Sequence, residues 1–218
     1  MSKVRNLFFA AAVSLVLAFP SRAKADDLAF MVTSSGQFGV IDLNTGAFSL
    51  RSNLSIIAIG LGETPDGKLY TSDSNGVVYQ VNPTNGSLTT VGSNGVANFG
   101  IGSTTSGLYA VDNLLNLYSI NPGTGAAAKI GATGLPQPQG LTTMGLSAGA
   151  ATLYITYGPS FGPATLYSVN TATGAATAIG NTGVDGIAAV VFENGNIIRG
   201  IELARKHASR YRECLKRR

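Results

Sequence analysis

The sequence contains few of the residues on which metal centres and enzyme active sites commonly depend. Its 218 residues include no tryptophan, one cysteine and one histidine. Cys214 and His207 both follow residue 198, so residues 26–198 offer no thiolate or imidazole to a metal ion or to acid–base catalysis. The same absence excludes a disulfide within residues 26–198, so burial of apolar surface must stabilise that segment.

Charged residues are also scarce, and those present are segregated along the chain. They make up 12% of the sequence, about half of the usual share. Residues 26–198 have three basic and nine acidic side chains, whereas residues 199–218 have eight basic and two acidic ones. The net charge of +4 therefore reflects the two ends and does not indicate a nucleic-acid-binding domain. The 28 glycines show no period of three, which excludes collagen and, with so little charge, indicates turn-rich β structure.

The first 25 residues have the three parts of a secretory signal peptide. Lys3 and Arg5 precede an apolar run of 13 residues at 7–19, and residues 23–25 read Ala-Lys-Ala, which fits a cleavage site. The apolar run is shorter than the roughly 20 residues that a membrane-spanning helix needs. We therefore predict that residues 1–25 are a signal peptide, that the mature chain has no transmembrane segment, and that the protein is secreted or lies in the periplasm or at the cell surface.

Two sequence anchors recur four times between residues 26 and 198. The first is a turn in which Asp or Asn precedes Gly by four residues, and its glycines follow one another at 40, 39 and 49 residues. The second is an apolar pair that lies 17 residues before the first three glycines and 21 before the fourth. Agreement of two anchors at a nearly fixed period predicts a repeat protein. The glycines are Gly46, Gly86, Gly125 and Gly174, and the pairs are Ala29-Phe30, Leu69-Tyr70, Leu108-Tyr109 and Leu153-Tyr154.

The second copy indicates what one repeat contains. Stretches at 56–61, 68–73, 77–82 and 87–91 are apolar or alternate apolar with polar residues, and Gly, Pro and Asx turns separate them. They predict four antiparallel strands, which form a sheet too small to bury both of its faces alone, so the copies must stack. The predicted fold of residues 26–198 is all-β, a β-propeller-like array of about four four-stranded antiparallel blades.

The ends of the repeat segment leave two arrangements open. The first copy begins at its second strand, 28–32, whereas 184–195 has the apolar run and the turn of a first strand. If 184–195 completes the first copy, four blades close into a ring and no sheet edge stays exposed. Alternatively, Ile197-Ile198 matches the apolar pair and begins a fifth copy of a longer propeller.

The repeats resemble those of a known group of proteins. The pairs Leu69-Tyr70 and Leu108-Tyr109 and the stretches 117–122 (LYSINP) and 173–180 (TGAATAIG) are similar to β-propeller repeats of secreted bacterial proteins of unknown function, many of which carry PEP-CTERM sorting tails. The resemblance covers about residues 27–198, and it implies a secreted propeller without implying an activity. No Pro-Glu-Pro motif follows residue 198, so we do not expect sorting by that route.

Residues 199–218 differ in composition from the repeats. Good helix formers predominate, and Ala204, Ala208, Tyr211 and Leu215 recur at helical spacing, which predicts a short basic C-terminal helix. The apolar stripe of this helix is narrow and largely alanine. A solvated terminal helix, or sequence that replaces the rest of a fifth copy, is therefore favoured over a helix that binds anionic lipid, polysaccharide or a partner.

Candidate chemistry within the repeats is limited to oxygen ligands. Asp73 and Asp112 each lie four residues after an anchor leucine, and Ca²⁺ prefers carboxylate oxygens. They are weak metal candidates, because the capping of repeated turns would repeat the same residues. Ser147, Asp185 and His207 follow the hydrolase order, but the nucleophile elbow requires a strand-to-helix turn that a β repeat lacks. We predict no catalytic residue and no cofactor.

The residues together favour a non-catalytic protein. We predict a secreted binding module, or a cell-surface or matrix module, whose partner is an extracellular protein or polysaccharide. Its ligand face would consist of the loop after the fourth strand of each copy and the irregular loops 131–140 and 157–163, because rigid scaffolds present functional contacts on loops. The alternatives are a propeller hydrolase or lyase with carboxylates around a central cation, and an inactive, truncated relative of a longer propeller. The repeated tyrosines are expected to pack between blades, namely Tyr70, Tyr79, Tyr109, Tyr118, Tyr154 and Tyr167.

Overall fold

The protein is described from a computed structural model. The structure describes residues 28–198 except 34, 43–44, 46, 138–141, 149–150, 186–189 and 194–195. The predicted signal peptide, 1–25, and the predicted basic helix, 199–218, lie outside the described residues. Of the residues that are described, none belongs to a helix long and apolar enough to cross a membrane.

The described residues form β-strands in four sheets, one for each copy of the repeat. The first sheet contains β1 (Leu28–Val32), β2 (Gln37–Asp42) and β3 (Phe48–Asn53). The second contains β4 (Gly62–Glu63), β5 (Leu69–Ser72), β6 (Val77–Val81) and β7 (Leu88–Ser93), and the third contains β8 (Asn98–Thr104), β9 (Gly107–Asp112), β10 (Asn116–Ile120) and β11 (Ala127–Ala132). The fourth contains β12 (Thr142–Ala148), β13 (Leu153–Pro159), β14 (Pro163–Val169) and β15 (Ala176–Asp185), and β16 (Val190–Glu193) and β17 (Asn196–Ile198) extend it. The predicted all-β, four-bladed propeller-like array is confirmed.

Three apolar clusters form the core, and each lies between two successive sheets. A single small sheet could not bury these side chains, so every blade depends on its neighbour. The predicted packing role of the tyrosines is confirmed for Tyr70 and Tyr109, which are 4% and 8% exposed and belong to these clusters. In chain order the clusters bring together Phe38 with Leu69 and Val81, Val78 with Ile101 and Leu108, and Leu117 with Leu153 and Ile155.

The blades all have the same orientation. The innermost strands of successive blades run parallel where they are described, as the pairing of Gly60 with Ile101 and of Ser147 with Val190 shows. β8 and β12 run the same way, since Gly100 and Gly102 lie beside Leu146 and Ser147 in the same order. Because consecutive strands of each blade are antiparallel, the loops after the second and fourth strands lie at one end of every blade. We call this end the upper face. The opposite end, with the turns after the first and third strands, is the lower face.

Glycines in the repeated turns allow neighbouring blades to approach closely. The turn between the third and fourth strands of one blade packs on the outermost strand of the preceding blade, beside a β-bulge. The backbone of Gly125 lies against Gly92, and that of Gly174 against Gly131, with no room for a Cβ atom. Gly125 and Gly174 also have positive φ values of 75° and 86°. We call this arrangement the interblade turn contact, and it requires glycine for space as well as for backbone conformation.

The first strand of the second blade differs from the prediction. The apolar run 56–61 was expected to form it, whereas β4 contains only Gly62 and Glu63, and before it the Ile59 amide donates one hydrogen bond to the Ser72 carbonyl of β5, at 3.0 Å. Gly60 has a φ of +144°, which interrupts the strand. It forms one bridge to Ile101 of the next blade, and its carbonyl accepts a hydrogen bond from the Thr71 hydroxyl of β5 at 2.6 Å. The apolar residues 56–61 therefore form most of the link that leads into the blade.

The prediction that 184–195 completes the first sheet is wrong for the described residues. β16 pairs in parallel with β12 and antiparallel with β17, whereas β1 pairs only with β2. The position next to β16 that β1 would need is occupied by β17, which contains Ile197-Ile198. β16 and β17 thus have the arrangement of the first two strands of a next blade, as the alternative of a fifth copy expects.

Candidate binding face

Exposed apolar side chains mark the upper face of the array. Phe161 is 88% exposed, Ile57 is 69% exposed and Leu114 is 66% exposed. Each lies in a different blade-to-blade link or turn of the upper face, after β13, β3 and β9 respectively. Single exposed apolar side chains are ordinary, but the location of these three on loops of one face makes that face the candidate for an interaction site.

The two irregular loops that the sequence singled out lie together on this face. The Tyr157 hydroxyl of β13 donates a hydrogen bond to the carbonyl of Pro136, at 2.8 Å, and Tyr157 is 4% exposed. This bond joins the loop after β11 to the strand that leads to Phe161. The described parts of 131–140 and 157–163 therefore lie on one face, and 138–140 lie outside the described residues. That these loops bind a ligand stays a prediction.

Backbone geometry fixes the position of Leu114. The next residue, Leu115, has a φ of +63° but is only 2% exposed, because its side chain packs in the core. The carbonyl of Leu115 accepts hydrogen bonds from the Thr133 amide, at 2.9 Å, and from the Thr133 hydroxyl, at 2.8 Å. The buried side chain of Leu115 and the hydrogen bonds to its carbonyl together hold Leu115 in the left-handed conformation. The adjacent Leu114 is thereby exposed to solvent.

The first metal candidate, Asp112, caps the turn that carries Leu114. It is 4% exposed, and its Oδ1 accepts hydrogen bonds from the backbone amides of Leu114, at 3.0 Å, and Asn116, at 2.8 Å. Its Oδ2 accepts bonds from the Asn116 side-chain amide and the Tyr118 hydroxyl, both at 3.0 Å. These donors belong to the turn that follows Asp112 and to the next strand, β10, which is the capping role that the sequence offered as the alternative to metal binding.

The second metal candidate, Asp73, has the same role in the second blade. Its Oδ1 accepts hydrogen bonds from the amides of Asn75, at 3.0 Å, and Val77, at 2.9 Å, and its Oδ2 faces the Tyr79 hydroxyl at 3.4 Å. Asp73 and Asp112 thus lie in separate upper-face turns. In the described part of the chain, no three or more Asp, Glu, His or Cys residues are grouped to hold a metal ion.

The hydroxyl of Tyr118 provides a test of this turn through pH. Burial raises the pKa of Tyr118, and the hydrogen bond to Asp112 raises it further. Because the pKa of Tyr118 is higher in the folded state, its protonated hydroxyl stabilises the fold fully at pH values below the ordinary tyrosine pKa of about 10. This stabilisation is lost as the pH rises through the higher pKa of the folded state. We expect Tyr118→Phe to cost about 1 kcal/mol at neutral pH and to weaken the loss of stability at alkaline pH. Urea denaturation across the alkaline range measures both effects, and a slope identical to that of the wild type would contradict the assignment.

Three buried side-chain polar atoms have no hydrogen-bond partner in the described part of the chain, and one of them is the hydroxyl of Ser52 on β3. The other two are the hydroxyl of Ser72, which is 0% exposed, and the side-chain nitrogen of Asn98, which is 6% exposed. The oxygen of Asn98 accepts a bond from the side chain of Asn94 at 2.9 Å, so only the nitrogen is left over. Sequence reasoning missed these residues, because nothing in their spacing distinguishes them from other strand-end residues.

A groove of about 450 Å³ lies on the opposite, lower face, between the second and third blades. Its rim includes Pro65 and Asp66 on one side and Ser106 and Pro122 on the other. The hydrogen-bonded ion pair with Lys68, at 2.6 Å, lowers the pKa of Asp66 to about 2, so Asp66 is ionised at neutral pH and Lys68 balances its charge at this rim. The sequence gave no indication of this groove, because its walls come from turns of two different blades.

The serine of the hydrolase-like pattern lies inside the array. Ser147 is 0% exposed, and its hydroxyl accepts a hydrogen bond from the Tyr154 amide at 2.9 Å. It belongs to the innermost strand β12 and pairs with Val190 of β16, so no strand-to-helix turn presents it to a substrate. His207 lies outside the described residues.

Comparison with known proteins supports the fold and does not supply an activity. No protein-family model matches the chain, and no curated protein matches it. Among solved structures 212 chains match, and a fold shared so widely does not indicate one function. One of them, described as "Crystal structure of Nidogen/Laminin Complex", is similar over 76% of this chain with a TM-score of 0.52 and 13% sequence identity. The matched part covers 65% of that chain, so this protein spans less than two thirds of its neighbour, and the likeness shows the propeller fold alone.

Proposed function

We propose that this protein is a secreted, non-catalytic binding module that contacts an extracellular protein through its upper face. The observation that carries the proposal is the exposure of Ile57, Leu114 and Phe161 on loops of that one face. Exposed apolar side chains gain from being covered, and the rigid blades below them reduce the entropy lost on binding. The structural neighbour was solved as part of a protein complex, which is consistent with this use of the fold.

A protein partner is favoured over a polysaccharide by the kind of side chain exposed. Two of the three residues, Ile57 and Leu114, are aliphatic, and the third, Phe161, has no polar group. Sugars are usually held by aromatic rings together with polar side chains, whereas aliphatic and phenyl groups suit the apolar centre of a protein interface. The tyrosines that could have formed a sugar platform include Tyr70 and Tyr109, which are buried in the core.

The proposal is tested by changing the three exposed residues together to Ser. We expect the variant Ile57→Ser, Leu114→Ser, Phe161→Ser to lose binding to washed cells of the source organism while keeping its stability within about 1 kcal/mol, because exposed side chains contribute little to folding. The matched control is Leu50→Ser, which removes a side chain that is 50% exposed on the outermost strand of the first blade.

The binding assay uses labelled full-length protein, washed cells and purified cell-surface polysaccharide. Binding that protease treatment of the cells abolishes supports a protein partner, whereas retention on the purified polysaccharide would refute it. Equal binding by the triple variant and the wild type would show that the upper face is not the site.

A further inference from the structure

The last blade lacks the interblade turn contact that covers the two blades before it. A Cβ atom added at Gly92 or Gly131 would clash with the carbonyl oxygen of Thr124 or Thr173 in the following blade. Gly180 has the same position beside the bulge of the fourth sheet. Within the described part of the chain, nothing lies within 4 Å of a Cβ added there.

The apolar residue beside Gly180 is uncovered as well. The bulges leave one residue without a strand partner in each outermost strand, and these residues are Val91, Ile130 and Ile179 in the second, third and fourth sheets. Val91 and Ile130 pack against the clusters between blades, whereas Ile179 is 56% exposed. Ile179 and Gly180 together form an acceptor surface for one more turn, and we call it the open acceptor.

The occupant must bring the same kind of turn. Residues 199–218 contain no Asp or Asn and have glycine only at position 200, so they do not provide it. The turn between β2 and β3 does, because the Asp42 amide donates to the Ala47 carbonyl at 3.0 Å and the Thr45 amide donates to Asp42 Oδ1 at 3.0 Å. The turn of the third blade has the equivalent bonds at Asn121, with 2.9 Å and 3.2 Å.

The first sheet also matches the strands that lie next to the open acceptor. Among the described residues it has three strands and no innermost one, and β16 lies beside β12 where the innermost strand of a next blade belongs. β17 pairs with β16 and ends at Ile198, the last described residue. An incoming first sheet would place its β1 beside β16 in the position that β17 occupies, so association at this edge would displace β17.

We propose that the open acceptor binds the β2–β3 turn of a second copy of this chain, so that copies associate head to tail. The carbonyl of Thr45 in the second copy would face Gly180 as that of Thr173 faces Gly131, and Ile179 would become covered. Because donor and acceptor are different surfaces, the contact is heterologous and extends into larger assemblies unless it closes. This inference uses the edge of the array and is independent of the upper face.

Sedimentation equilibrium of the full-length protein over a range of concentration tests the proposal, with Gly180→Ala as the variant. We expect the average mass of the wild type to rise above that of the monomer with concentration. The added methyl group is expected to weaken the association about tenfold, because it would overpack a contact that leaves no room for a Cβ atom. The control Lys129→Ala, which changes an exposed side chain of the third blade and leaves the edge unchanged, is expected to associate like the wild type.

Three results would overturn the proposal. The first is a wild type that stays monomeric throughout. The second is a Gly180→Ala variant that associates as strongly as the wild type. The third is an association that high salt abolishes and Gly180→Ala leaves unchanged, which would assign it to the basic residues 199–218 instead.

Discussion

Gly131→Ala is expected to lower the free energy of unfolding by about 2 kcal/mol, whereas Gly180→Ala is expected to change it by less than about 0.5 kcal/mol. Both changes add one methyl group at the same position of an outermost strand. At Gly131 the methyl group would meet the backbone of Thr173 and Gly174 from the next blade, and backbone cannot rotate away as a side chain can. At Gly180 it would enter space that no described atom fills.

Urea denaturation of the two variants beside the wild type measures this difference. Gly92→Ala provides a second test, because the methyl group would meet Thr124 in the same way, and a loss similar to that of Gly131→Ala is expected. Equal stability of the variants at 131 and 180 would show that the blades are not packed through these turns. A large loss at 180 would show that the last blade is covered in the monomer.

Asp112→Ala is expected to destabilise the protein by about 3 kcal/mol. The carboxylate is buried and accepts bonds from two backbone amides, the Asn116 side chain and the Tyr118 hydroxyl. Without it, several donors in the turn lose their acceptor in a region that water reaches poorly, and each such loss costs more than an ordinary hydrogen bond contributes. The same variant also tests the weak Ca²⁺ candidate, because a bound ion would make the wild type more stable in the presence of Ca²⁺.

The matched control is Asp73→Ala, for which we expect about 1 kcal/mol. Asp73 caps the equivalent turn but is only partly buried, and water can replace the lost oxygens. Thermal unfolding with and without Ca²⁺ separates the two roles. Destabilisation by Asp112→Ala that is independent of Ca²⁺ supports capping, and a Ca²⁺-dependent stabilisation that either variant abolishes would support a metal site.

The repeat, the number of blades and most strands could be predicted because local residue patterns determine them. Alternation of apolar and polar residues, together with Gly and Asx turns, predicted β5 and β6 almost to the residue, and the anchor pairs mark the second strand of each blade. These signals act within a few residues, so they survive without any knowledge of the tertiary structure.

The features that the sequence did not predict depend on contacts between distant residues. The apolar run 56–61 looks like a strand, but the backbone of Gly60 interrupts it beside Ile101 of the next blade. The pairing of β16 was also missed, because the same strand pattern would suit either the first sheet or a next blade. Asp73 and Asp112 were found as a repeated pair, but only the structure shows that their oxygens are used within their own turns.

Sequence reasoning named the loops of the candidate binding face, but it did not predict which of their apolar residues would be exposed. Loops 131–140 and 157–163 were identified from their irregular length, and the antiparallel order of the strands places them at one end of the blades. The exposure of Ile57 and Leu114 could not be predicted, because an apolar residue in a turn is as often covered by a neighbouring loop as left in solvent.

The central claim is that neighbouring blades hold one another through the repeated turns, and hydrogen exchange at Ala176 tests it most directly. The amide of Ala176 donates to the carbonyl of Thr133 in the preceding blade, at 2.8 Å. NMR measurement should find this amide exchanging as slowly as the paired amides of β13 and β14, and exchanging faster in Gly131→Ala. The account would be contradicted if the Ala176 amide exchanged as fast as the amides of the exposed turn before β15 and if Gly131→Ala left that rate unchanged.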